Sequence, residues 1–129
     1  AMERVRKADA IGSGLEALLH IAVAPESPLR EHLRCLESSP QPDVDDLRWL
    51  LGVSAVEIGD AEDASSDGLA KVKDEAMNVT VRVDRAPGCK CGRCWVYSSS
   101  VGGCDAHPTL CERCSVVVEA LNADSLQAA

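Results

Sequence analysis

Gly88-Cys89-Lys90-Cys91-Gly92-Arg93-Cys94-Trp95 and, with sixteen residues intervening after Cys94, Cys111-Glu112-Arg113-Cys114 decide how the rest of the chain is read. Cys91, Cys94, Cys111 and Cys114 form two C-x2-C elements at a separation found in zinc sites. A two-residue gap aims both sulfurs of a turn at a point about 2.3 Å away, and two such turns complete a tetrahedron around one ion. Four thiolates leave no position for water or substrate, so the expected cofactor is one structural Zn2+. Gly92 is expected to supply a positive φ inside the first turn. Lys90, Arg93 and Arg113 lie beside the sulfurs, where they can offset the negative charge of the site or face a phosphate.

Two plainer readings compete: two disulfides, or buried thiols with no common role. The paired spacing and the odd total of seven cysteines favour the metal. Cys35, Cys89 and Cys104 are left over. Cys35 neighbours an apolar helical stripe and is expected to be a buried thiol. Cys89, two residues before Cys91, can misligate. Cys104 has His107 three residues on, a possible ligand pair that lacks an evident second pair.

At 129 residues, with no Phe, two Trp and one Tyr, the chain has an apolar content made mostly of Ala, Val and Leu. Small side chains bury little area per residue, so part of the stability is expected to come from metal or from a partner. The formal net charge is -8, which opposes nonspecific binding to phosphate backbones. That average hides a division. Residues 26–67 carry 11 acids against Arg30, Arg34 and Arg48, whereas residues 71–114 carry seven bases against five acids. Contact with nucleic acid is therefore expected on the cysteine side, and contact with protein subunits on the acidic face. No apolar run approaches a membrane span, no secretory leader is evident, and thiolate ligation calls for a reducing compartment.

Along the chain, residues 1–11 are expected to be the end of a helix or a linker, stopped by Gly12 and Gly14. Ala17 to Ala24 read as a strand, with His20 an ordinary edge or core residue. Ser27-Pro28 opens an amphipathic helix with Leu29, Leu33 and Leu36 on one face, ending before Ser38-Ser39-Pro40. Asp43 or Asp45 can cap a short helix running to Leu51, and Val53 to Ile58 read as a strand. The carboxylates at 43, 45 and 46 do not follow the twelve-residue calcium pattern. Residues 59–70 form an acidic loop. Val79, Val81 and Val83 alternate with Thr80, Arg82 and Asp84, giving the clearest strand, with Arg82 reaching solvent. After the second cysteine pair, Ser115 to Leu121 is expected to be a short helix followed by a tail.

Catalysis finds little footing. The best-placed cysteines are committed to metal, and neither a P-loop nor an HExxH helix is present. His107 is expected to orient a cysteinate or to stack on Trp95. Trp95 and Tyr97 are expected on one side of an extended segment, either as a lid over the metal or as a platform for an unstacked base supported by Arg93 and Lys90.

At these residues the chain resembles the C-terminal zinc-binding region of bacterial and organellar isoleucyl-tRNA synthetase. The matching positions are Gly88, Lys90, Cys91, Arg93, Cys94 and Trp95, then Val101-Gly102, His107-Pro108-Thr109-Leu110, Cys111, Arg113 and Cys114. Weaker similarity reaches back to Arg6-Lys7, Ile11-Gly12-Ser13 and Leu15-Glu16-Ala17. The resemblance implies a noncatalytic appendage on the anticodon side of tRNA, with Lys90, Arg93, Trp95, Tyr97 and Arg113 as RNA contacts. The alternative is a stand-alone structural subunit of a mitochondrial or plastid ribosome, or of another ribonucleoprotein, with rRNA as the partner. The implied compartment is the cytoplasm, the mitochondrial matrix or the plastid stroma. The expected fold is α+β: a small mixed domain over 12–84 followed by a treble-knuckle-like four-cysteine zinc finger over 85–121, with a tail over 122–129.

Overall fold

The computed structural model describes residues 1–37, 46–60 and 68–127, and the chain divides into two compact units, Ala1–Ala86 and Pro87–Ala129. The helix stop at 38–40, the acidic turn with Asp43 and Asp45, and residues 61–67 of the acidic loop lie outside the described residues.

The first unit is organised by the strand β1, Ala17–Val23, in which Ala17, Leu19, Ile21 and Val23 are buried. Side chains alternate across a strand, so these four share one face. β1 pairs in parallel with β2 (Ala55–Gly59) and antiparallel with β4 (Val79–Arg85), and β4 pairs antiparallel with β3 (Ala70–Asp74). The resulting order is β2-β1-β4-β3, a mixed four-stranded sheet. Register sets Leu19 between Val56 and Val83, and Ile21 between Ile58 and Val81, so the apolar rows run straight across the sheet. Val5 of α1 (Met2–Lys7), Leu29 and Leu33 of α2 (Pro28–Glu37), and Leu47 of α3 (Asp46–Leu51) pack into the same core. Each such side chain, once buried, contributes about 1.5–3 kcal/mol.

Several local expectations change. The first helix ends at Lys7, well before Gly12: Asp9 takes a left-handed φ of 53°, Ala10 N–H donates to Val5 C=O and Asp9 N–H to Arg6 C=O. That bond pair terminates a helix as glycine commonly does, with aspartate in its place. Ile11 then joins the core at 3% exposure. Cys35 is exposed, because α2 turns Leu29 and Leu33 inward and a residue two places after Leu33 lies on the far side. β3 was not anticipated. Only Ala70 and Val72 mark its inner face, and the strand exists through its pairing with β4. Its lysines, Lys71 and Lys73, suit an edge strand.

The opposite face of the sheet is polar. His20 Nδ1 lies 2.8 Å from Glu57 and Nε2 lies 3.1 Å from Asp84, so the imidazole sits between two carboxylates across three strands. Arg82 does not reach freely into solvent. Its Nε donates to Asp84 at 2.9 Å, and the side chain is 13% exposed.

Gly14 shows how closely the chain entering β1 is packed. A Cβ there would fall 2.6 Å from the carbonyl oxygen of Gly52, a backbone atom that cannot rotate away. Gly14→Ala is expected to lower the unfolding free energy by about 1–3 kcal/mol, the usual range for overpacking. Urea denaturation monitored by circular dichroism checks this, and an unchanged midpoint contradicts it.

Candidate metal centre

The second unit holds a two-stranded hairpin, β5 (Cys89–Lys90) and β6 (Tyr97–Ser98), and a sixteen-residue helix α4, Glu112–Gln127. Helix therefore replaces the expected tail over 122–127. Ala120, Ala123 and Leu126 favour helix, and neither glycine nor proline interrupts. Gly88 makes the hairpin possible. Its φ is 86°, and a Cβ would lie 2.3 Å from the Ser98 carbonyl carbon.

The first turn between cysteines closes through Trp95 N–H donating to Cys91 C=O, and Cys91 N–H donating to Val96 C=O, both at 3.0 Å. The left-handed residue is Trp95, with φ 65°, and Gly92 is not among the positive-φ residues. Gly92 instead donates its N–H to Thr109 C=O at 2.9 Å, tying the two cysteine turns together. The second pair opens α4. Ser100 Oγ accepts the Glu112 N–H at 3.1 Å and so satisfies a donor at the helix start, a role that sequence reading missed because twelve residues separate the partners. Cys111 just precedes the helix and Cys114 lies in its first turn, near the positive end of the helix dipole.

These turns bring the Sγ atoms of Cys91, Cys94, Cys111 and Cys114 within 4.8 Å of one another. Cys91, Cys111 and Cys114 are buried and Cys94 half-buried. The Cys94 and Cys111 sulfurs lie 3.8 Å apart. An S–S bond measures about 2.05 Å, whereas two thiolates each about 2.3 Å from one tetrahedral ion stand about 3.8 Å apart. All seven cysteines are free thiols in the structure. The donor set therefore fits a closed tetrahedral ion such as zinc and does not fit the disulfide reading.

Electrostatics agree with that fit. Burial opposes ionisation of Cys91, but N–H donors from Cys94, Cys111 and Arg93 bring its thiol down to about 6. Burial pushes Cys111 up to about 12 and raises Cys114 as well. Burial thus opposes ionisation of Cys111 and Cys114, a cost that an ion of charge +2 offsets. Arg93 Nη1 donates to Cys114 Sγ at 3.8 Å.

Cys89 is exposed on β5, and Cys104 Sγ donates to Glu119 Oε1 at 3.8 Å. Among the described residues neither joins the cluster, and His107 is not among its ligands either. His107 acts through its backbone, donating its N–H to Cys104 and accepting from Leu110. Trp95 presents much of its ring to solvent. It is 60% exposed, with Lys90 Nζ 5.2 Å from its ring centroid. The left-handed turn at Trp95 also breaks the extended path that would have aligned it with Tyr97, which pairs with Lys90 across the hairpin.

The chain has relatives in sequence. The isoleucine–tRNA ligase of Gloeothece citriformis is 39% identical over 121 residues, covering 92% of this chain and 12% of the ligase. Those of Prochlorococcus marinus and Nitratidesulfovibrio vulgaris are 41% identical over 119 residues and 33% over 124. This chain is homologous to a segment of isoleucine–tRNA ligase. It spans 12% of the length of these ligases. No family model matches the chain. The similarity to isoleucine–tRNA ligase runs through both units, since 92% of the chain is covered. Among the described residues no helix is long and apolar enough to cross a membrane.

Proposed function

We propose that the chain is a noncatalytic, zinc-stabilised appendage that binds tRNA on the anticodon side of an isoleucine–tRNA ligase. The observation that carries this reading is homology to that ligase over 92% of the chain. The centre takes one Zn2+ on Cys91, Cys94, Cys111 and Cys114. The hairpin, the two cysteine turns and α4 together make a treble-knuckle-like finger. Zinc bound there supplies no chemistry beyond holding the fold, since four sulfurs complete its coordination.

RNA meets the surface at Lys90 and Trp95, where an exposed ring and a cation are held together at 5.2 Å. An aromatic face accepts any unstacked base, and a lysine beside it neutralises a phosphate. Tyr97 supports Lys90 across the hairpin. Arg93 is exposed, and a guanidinium has five donors, so it can face a phosphate while bonded to sulfur; Arg113, half-buried, is the remaining basic contact of the reading.

In zinc-loaded protein, Trp95→Ala is expected to weaken tRNA binding by about 5- to 150-fold, the equivalent of one lost base stack. Lys90→Gln is expected to weaken it less, and to make the salt dependence shallower by about one counterion. Filter binding across a salt series measures both. Unchanged affinity and slope, with zinc still bound, would shift the weight to a structural subunit of a ribonucleoprotein. The net charge of -8 favours protein contacts of that kind.

A further inference from the structure

We infer that the outward face of α4 is a self-complementary docking surface for a second copy of this chain. The two α4 helices lie antiparallel, with Val116 of one against Leu121 of the other, Val117 against Ala120, and Arg113 against Asp124. The inference concerns association between copies and stands apart from the RNA reading.

A helix normally turns its apolar residues toward the core it belongs to. In α4 this holds near the cysteine cluster, where Cys114 and Ser115 are buried and Val118 is half-buried. At about 100° per residue, Val116, Val117, Ala120 and Leu121 fall on the other side of the helix. All four are exposed, Val116 at 61% and Leu121 at 56%. Every residue from Glu119 to Leu126 is exposed as well, so among the described residues the second half of the helix finds little of its own unit to pack against. Helices in proteins draw most of their stability from packing an apolar face, and this face has none. Single exposed apolar residues are ordinary, but these four stand at spacings of three and four residues and make one patch.

The order of the residues names the occupant. Arg113 and Asp124, Val116 and Leu121, and Val117 and Ala120 are each equidistant from the point midway between Val118 and Glu119. A two-fold contact requires that symmetry, since a residue of one copy meets a second residue of the other, and the reverse contact is made at the same time. In an antiparallel pair the apolar residues therefore meet in the middle, and Ala120 is small enough to let the helices approach beside Val117. Charge closes both ends, a base against an acid each time. A parallel pair would set Arg113 against Arg113 and Asp124 against Asp124, so complementarity selects the antiparallel arrangement. Arg113 is half-buried, and a guanidinium has five donors, enough for a carboxylate beside the contacts it makes within its own chain. RNA suits this helix poorly, because α4 carries Glu112, Glu119 and Asp124 against Arg113 alone. The stretch from Arg113 to Asp124 is about 17 Å long at 1.5 Å per residue. A contact that short falls below the roughly 1,200 Å² at which stable interfaces begin, so the pair forms weakly and in proportion to concentration.

Sedimentation equilibrium of the zinc-loaded full chain under reducing conditions tests the pair, with circular dichroism and zinc content showing that each variant is folded. The average mass of the parent is expected to rise with concentration from 13.7 kDa toward twice that value. Leu121→Asp places an acid in the contact twice and is expected to hold the chain at 13.7 kDa throughout. Asp124→Arg is expected to weaken association by roughly 10-fold, since symmetry counts the lost ion pair at both ends. Arg113→Glu is expected to do the same. An equimolar mixture of Arg113→Glu and Asp124→Arg is expected to associate as the parent does, because both ends of the mixed pair then join opposite charges. Should Arg113→Glu fail to fold or to hold zinc, Leu121→Asp and Asp124→Arg decide. A parent that stays at 13.7 kDa up to about 1 mM overturns the pair and leaves the face to another protein or to RNA. Association unchanged in Leu121→Asp overturns it too, and moves the contact to another patch such as the exposed Trp49 and Leu50 of α3. Association lost in Leu121→Asp but unchanged in Asp124→Arg overturns the antiparallel arrangement.

Discussion

Protein purified without chelator is expected to contain one zinc per chain, and removal of that ion to unfold residues 87–127 while the sheet of the first unit persists. The reason is the content of the second unit's core. Its buried cluster consists of Cys91, Cys111 and Cys114, with only Cys94, Val101 and Leu110 packed against it. Among the described residues, Val101 and Leu110 give that cluster little apolar area with which to replace the ion, whereas the cluster of the first unit has eleven buried residues. Binding free energy at structural zinc sites is about 10–16 kcal/mol near neutral pH, and in a unit of this kind it is folding free energy. β4 stays folded despite its closeness in sequence to the first cysteine turn, because it pairs along its length with β1 and β3. Hydrogen exchange read by mass spectrometry after chelation separates the two units. Protection is expected to vanish over 89–98 and 112–127 and to remain over 17–23 and 79–85. Retained protection in α4 after complete metal loss, or metal-free protein carrying two disulfides, would end the zinc reading.

How much of this could be seen in the sequence depended on how local the cause was. The cysteine cluster was legible because two C-x2-C turns and an intervening segment are sufficient to specify a tetrahedron of sulfur. β1 and β4 were legible because Leu19, Ile21, Val79, Val81 and Val83 alternate with other residues over several positions. β3 was not. With Ala70 and Val72 as the apolar residues of its inward face, its evidence lies in β4, on the other side of a turn. The end of α1 was misplaced because Asp9 performs a glycine's task, and nothing in an aspartate announces a left-handed φ. The same applies at Trp95, where a bulky residue and not Gly92 takes the positive φ. Such a conformation is uncommon outside glycine and here it turns the ring outward. Arg93 failed for a different reason. Spacing places Arg93 beside the sulfurs but does not say which of them a long side chain reaches, and its guanidinium donates to Cys114 of the second pair.

Cys91→Ser is expected to cost far more stability than Cys104→Ser, by more than about 2 kcal/mol, the lower end for loss of a metal or disulfide clamp. The two residues are alike in chemistry and differ in what surrounds the sulfur. Cys91 has no exposed surface, its Sγ accepts the Cys111 N–H at 3.4 Å, and it is one of the four converging sulfurs. Serine there offers a shorter, harder oxygen with a high pKa, so it neither reaches the ion as sulfur does nor ionises to meet it. Three thiolates then remain in a cluster whose remaining apolar contacts are Val101 and Leu110. Cys104 is half-buried and its sulfur donates to Glu119, a partner to which a serine hydroxyl can also donate. Its substitution should stay within about 0.5 kcal/mol of the parent, as for most surface changes. Thermal unfolding of both variants in the presence of zinc, followed in the second unit through the fluorescence of Trp95 in a Trp49→Tyr background, gives the comparison. Equal shifts in the two variants, or full zinc content in Cys91→Ser, would remove Cys91 from the ligand set. A large loss in Cys104→Ser would instead mean that the contact with Glu119 holds the sixteen-residue excursion against α4, and that the metal alone does not.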